Sequence, residues 1–176
     1  MKTYIAIVIG IVILFAVVFI GYKVTGGTVA SNSMQTSESQ LRTTSVSGEV
    51  KRTFEGDHVL KYSFDIPEDA STSIDMDGAL VNVIGSSGTQ ASVYFSYEGA
   101  RGYTPEDYIS NVVALHVPVI NLTGTTTIGG YEWVTAETAG SEWYLSPANN
   151  EWLIVIEAKK SSQEATNALL SSMKAQ

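Results

Sequence analysis

The chain has 176 residues, no cysteine and a formal charge of −8, from 10 Lys and Arg against 18 Asp and Glu. The lack of cysteine excludes a disulfide framework, a thiolate zinc site, a thiol nucleophile and a lipidated cysteine anchor. Nucleic-acid binding needs clustered positive charge to displace counterions, and beyond Lys23 the balance is 8 basic against 18 acidic residues, so neither that nor a polybasic lipid contact is expected.

From Tyr4 to Ile20 the chain reads YIAIVIGIVILFAVVFI, and the uncharged run from Thr3 through Tyr22 is 20 residues long. At about 1.5 Å per residue it covers about 30 Å, the thickness of a bilayer's hydrocarbon core. Tyr4 and Tyr22 stand at its ends, where amphipathic rings favour the interface. Residues 1–24 are therefore expected to form a transmembrane anchor, with lipid contact through residues 4–22. The competing reading is a cleaved signal peptide ending near Thr28-Val29-Ala30, for which the apolar run is long. A pilin-like subunit is disfavoured, because a basic leader ending in Gly and an early acid in the helix are both missing. Lys2 and Lys23 nearly balance the positive-inside bias, and the short N-terminal tail favours export of the C-terminal part.

Residues 25–48 form the next segment, a spacer: Ser, Thr, Gly, Asn and Gln fill 17 of 24 positions. Such a stretch buries too little surface to offset its ordering entropy. As a flexible coil it would place the next domain about 25–30 Å from the membrane exit.

The domain is expected over residues 49–176. His58 to Ile66 alternates Leu60, Tyr62 and Phe64 against Val59, Lys61 and Ser63, as a half-buried strand does, and Pro67-Glu68-Asp69 ends it. Ala79–Ile84 and Ala91–Tyr97 read as a hairpin around Gly85-Ser86-Ser87-Gly88. Thr104-Pro105-Glu106-Asp107 then starts a helix, with Thr as N-cap, Pro in the first turn and acids suited to the dipole. Tyr108, Val112 and Leu115, with Ile109, Val113 and His116, form its apolar stripe.

Three more strands are expected at Tyr131–Ala139, Glu142–Ser146 and Glu151–Ala158. The last is apolar on both parities, the pattern of a central strand covered on both faces. A closing helix begins at Ser161, with Glu164 completing a capping box and Ala165, Ala168, Leu169 and Met173 marking the buried stripe. The fold class is α+β: a mostly antiparallel sheet with helices packed on it, preceded by one transmembrane helix.

The segments YSFDIP (Tyr62–Pro67), TPEDYI (Thr104–Ile109), GGYEW (Gly129–Trp133) and ALLSSMK (Ala168–Lys174) resemble the PsbP-like family of extracytoplasmic domains, over roughly Val59 to Lys174. The resemblance implies an αβα sandwich around an antiparallel sheet and a non-catalytic accessory or assembly role. It carries over no catalytic, metal or cofactor residues, and it does not imply the photosystem role of the plant members. The N-terminal anchor departs from the soluble members of that family.

Candidate chemistry is sparse. His58 and His116 fall at the start of a strand and the end of a helix, where a histidine is ordinarily a rim residue or a dipole partner. Asp75-Met76-Asp77-Gly78 resembles the front of a calcium loop but is two residues short, and position twelve is Ser86. Neither a nucleophile elbow nor a phosphate loop is present. Asn121-Leu122-Thr123 is a glycosylation sequon that matters only in a eukaryotic secretory pathway.

The most distinctive feature is a repeated Glu-Trp, at Glu132-Trp133, Glu142-Trp143 and Glu151-Trp152. One reading is core filling by large rings; the other is an aromatic platform for sugar or peptide, with Trp133, Trp143 and Tyr144 as ligand-binding residues. Adjacent strand residues point to opposite faces, so Trp143 and Tyr144 cannot both serve one platform. Three functions are expected, in this order: a membrane-tethered accessory domain with a protein partner and no catalytic step or cofactor; a carbohydrate- or peptide-binding module; and a hydrolase using a carboxylate pair.

Overall fold

The alternation at residues 58–66 is realised in β2 (His58–Pro67), which buries Leu60, Tyr62, Phe64 and Ile66 and turns the residues between them outward. The computed structural model describes residues 42–53, 56–117 and 119–176. The expected anchor and most of the expected spacer lie outside the described residues, and no helix among those described is long and apolar enough to cross a membrane.

The spacer ends earlier than its composition implies. Residues from Thr43 onward form β1 (Thr43–Arg52), paired antiparallel with β2 from Thr43↔Pro67 to Arg52↔His58. Such a strand needs little apolar surface of its own, because β2 supplies the ladder and Val46 and Val50 suffice to reach the core. Gly48, which reads as a linker glycine, has a packing role. It lies opposite Tyr62, and a Cβ there would stand 2.5 Å from the Tyr62 hydroxyl. Tyr62 is stacked on Phe95 at 4.3 Å and cannot swing away. Gly48→Ala is therefore expected to destabilise the domain by about 1–3 kcal/mol through overpacking, read as a lower urea midpoint at unchanged slope.

Beyond β2 come β3 (Ser71–Asp75), β4 (Leu80–Gly85) and β5 (Gly88–Ser96), then β6 (Asn121–Ile128), β7 (Tyr131–Glu137), β8 (Ser141–Pro147) and β9 (Leu153–Lys159). These form one antiparallel sheet in the order β3-β4-β5-β9-β8-β7-β6. A two-residue strand, β10 (Lys174–Ala175), joins β1 and β2 in a second sheet of three. The architecture is mostly antiparallel sheet with few helices.

Two apolar clusters cover the two faces of the large sheet. On one face, Leu60, Tyr62 and Phe64 of β2 and Leu169, Leu170 and Met173 near the chain end pack on Val93, Ile154 and Ile156. On the other, Ile109 and Val113 pack on Val134, Leu145, Leu153 and Val155. Strand β9 is central and buries four successive residues, Leu153 to Ile156, as its two-parity pattern predicts.

The middle helix starts as expected and then departs. Its first turn, α1 (Pro105–Tyr108), has a capping box in which Thr104 Oγ1 accepts from Asp107 N–H and Asp107 accepts from Thr104 N–H. A π-turn spans Ile109–Val113, closed by the Ala114 N–H on the Ile109 carbonyl, before α2 (Ala114–His116). The wider turn takes one residue more than an α-turn and so rotates the residues beyond it about the helix axis. Ile109 and Val113 are buried, but Leu115, expected in the same stripe, is turned to solvent.

The closing helix, α3 (Gln163–Ser172), buries Ala165 and Leu169 as expected, with Met173 buried just past its end, and also Thr166 and Leu170, while Ala168 of the expected stripe is only half-buried. Its capping box does not form. The N-cap is Ser162 rather than Ser161, which puts Glu164 at the second helical position, where it cannot reach back.

Candidate functional site

The three tryptophans belong to the interior. Trp133, on β7, is fully buried, and its indole N–H donates to the Ile128 carbonyl at 3.0 Å. Trp152 precedes β9 and meets Tyr97 edge-on, with ring centroids 5.1 Å apart. Both lie in the cluster shared with the three-stranded sheet, whereas Trp143 is buried in the cluster on the opposite face. Trp133, one of the three residues read as ligand-binding, therefore offers no ring face to solvent, and Trp143, a second, is 7% exposed and reaches only the lining of the cleft described next. Trp is the side chain with the most area to bury, and a repeat spaced by strand and turn length returns one such ring to the sheet at each pass.

Tyr144 is the remaining aromatic of that set and is half-buried. It lines a cleft of about 280 Å³ with Thr126, Thr135, Glu137 and Glu142. Glu142 accepts from the Tyr144 hydroxyl at 2.8 Å and from Gln163 Nε2 at 2.9 Å. Glu137, directly opposite Glu142 across the β7–β8 pair, accepts from Lys160 Nζ at 2.7 Å. Both carboxylates are thus already held by donors of the chain itself. The cleft offers acceptor oxygens and threonine hydroxyls beside Tyr144, with the mostly buried Trp143 also in its lining.

Burial, with the hydrogen bond to Glu142 and its charge as the smaller causes, pushes the Tyr144 phenol up to about 12. A raised phenol favours the neutral form in the folded chain. The stabilisation is therefore full below the unfolded value near 10 and is lost as pH rises through about 12. Glu142→Gln is expected to lower the Tyr144 phenol only part-way, because burial, the largest cause, stays in place; the shift is seen as an earlier ultraviolet ionisation step that disappears in Tyr144→Phe.

The histidines do not converge. His58 Nδ1 lies 3.1 Å from Glu151 Oε2, and the imidazole leans on Tyr97 at 4.8 Å, which ties the start of β2 to the approach to β9. His116 is exposed at the end of α2. The Asp75–Gly78 segment is a tight turn in which Asp75 Oδ1 accepts from the Met76 N–H at 2.7 Å. Among the described residues no group of three acids or histidines is placed to hold a metal ion.

A different surface stands out between α2 and β6. Leu115, Val119 and Leu122 are 77%, 67% and 52% exposed within eight positions, while Val117 and Ile120 between them pack inward on the second cluster. The segment thus carries an inner apolar row that holds it to the sheet and an outer apolar row left to solvent among the described residues. Helical spacing hides this in the sequence, because an α-helical reading sends Leu115 inward. The π-turn is what turns it out.

Comparison of the chain with protein-family models, with curated proteins and with solved structures returns no match.

Proposed function

We propose that this chain is a membrane-tethered accessory domain that acts by protein contact in the extracytoplasmic space, on a PsbP-like αβα frame and with no catalytic step of its own. The observation that carries the reading is the outer apolar row of Leu115, Val119 and Leu122. Single apolar residues are ordinary on a surface, but three large exposed ones within eight positions of one segment are what a protein contact would use. The burial of all three tryptophans supports the same reading, since it removes the rings a sugar platform would use. The tether rests on the 20 uncharged residues from Thr3 to Tyr22, whose length matches a bilayer.

One observation favours a second reading: the Tyr144 cleft, with its carboxylates and threonine hydroxyls, has the polarity of a small sugar subsite. Affinity capture of the full-length chain from native membranes separates the two. The accessory reading expects one membrane complex at a constant ratio to the bait, resistant to alkaline extraction. Recovery of glycan in place of protein, lost in Tyr144→Ala, would replace it with the second.

A further inference from the structure

Strand β6 forms one edge of the seven-stranded sheet, and its sequence, NLTGTTTI, has no charged residue and no proline. The other long edges are guarded. Strand β1 carries Glu49, Lys51 and Arg52, and β3 carries Asp75. Charged side chains and proline are the usual means by which an edge is kept from pairing with another chain. In a chain of net charge −8, the part of this edge beyond its bulge, Gly124–Ile128, has none of these guards and is an available pairing surface.

The register defines what pairs with it. A bulge between Leu122 and Gly124 leaves Gly124–Ile128 as the regular part of the edge, with Thr126 at its midpoint. We infer that β6 pairs antiparallel with β6 of a second copy of this chain about a twofold axis at Thr126. That register sets Thr126 against its own copy and Thr125 against Thr127, and threonine pairs across antiparallel strands are favourable.

Charge agrees with this partner. Glu132 is the acid nearest the edge on β7, adjacent to Thr127. In the twofold pair it faces Thr125 and, behind it, Val134 of the other copy, so like charges are not set against each other. The axis is perpendicular to the sheet, and the two outer apolar rows emerge on the same side. A homodimer of this kind is the commonest closed assembly, because one self-complementary patch is enough to build it.

The inference goes beyond the accessory reading and does not depend on it, since strand pairing needs no third protein. The chain has no cysteine, so Thr126→Cys in the full-length protein introduces a single thiol. Opposed Cβ atoms on antiparallel strands are about 4.5–5.5 Å apart, close to disulfide reach. Mild oxidation in detergent is expected to convert most of Thr126→Cys to a dimer, with Thr72→Cys on β3 remaining monomeric. Adding Thr125→Lys and Thr127→Lys, both exposed, is expected to cut that cross-link at least about tenfold. Equal cross-linking at positions 72 and 126, or an undiminished cross-link in the lysine variant, overturns the proposal. So does a monomer mass for the wild-type chain in sedimentation equilibrium, with or without a bound foreign peptide. That mass measurement needs no variant and decides the question even where a substitution impairs folding.

Discussion

Trp133→Ala is expected to lower the unfolding free energy by about 3–5 kcal/mol. The indole is fully buried on β7, its N–H is bonded to the Ile128 carbonyl at 3.0 Å, and Tyr131 lies against it at 5.5 Å. Truncation leaves a cavity in the cluster where the large sheet meets β2 and α3, and leaves the Ile128 carbonyl without the donor it now has. A loss of that size is about a fifth or more of the stability of an ordinary domain. Urea unfolding of the variant distinguishes the two roles considered for this ring. A packing residue lowers the midpoint sharply, whereas a ligand platform would leave it in place.

A second large effect is expected at two neighbouring positions, and its diagnostic value lies in the pairing. Leu153→Ala and Ile154→Ala should each cost about 2–5 kcal/mol. Adjacent strand residues point to opposite faces, and here Leu153 enters the cluster with Ile109 and Val113 while Ile154 enters the cluster with β2 and α3. In a sheet solvated on one face, one of the two substitutions would be nearly silent. Equal penalties at both positions in thermal or urea unfolding are the signature of a strand covered on both sides.

How far the fold can be read without coordinates depends on how each strand is stabilised. Strands β2 and β9 declare themselves because their own apolar residues drive their burial, at Leu60, Tyr62 and Phe64 and at Leu153 to Ile156. Strands β1, β3 and β6 do not, because Thr, Ser and Asn give no periodicity when only the neighbour's ladder and a few side chains hold them. All three lie at sheet edges, where one side of the backbone has no neighbouring strand within the chain. Strand β10 is two residues long, too short for any pattern. Its position is set by Gln176, whose N–H and carbonyl both pair with Lys61 at 2.9 Å.

The candidate surfaces were legible in the same uneven way. The Glu-Trp repeat is visible in the sequence, but spacing alone does not say whether a ring faces a ligand or a core. The outer row of Leu115, Val119 and Leu122 is invisible to a 3.6-residue period, since it arises from a π-turn that no residue between Ile109 and Val113 announces. Glu142 is a partial exception. Its pairing with Tyr144 two residues on is a consequence of strand geometry, which puts both on one face.

The contact surface can be tested separately from the fold. In Leu115→Asp/Val119→Asp, both substituted side chains lie on the exposed row, so the urea midpoint of the full-length chain is expected to stay near the wild-type value. If the proposed protein partner exists, its recovery from native membranes is expected to fall at least about tenfold, as removal of a central apolar contact does in protein interfaces. Undiminished recovery by a stably folded double variant would contradict the assignment of this surface, and with it the case for a protein-binding role.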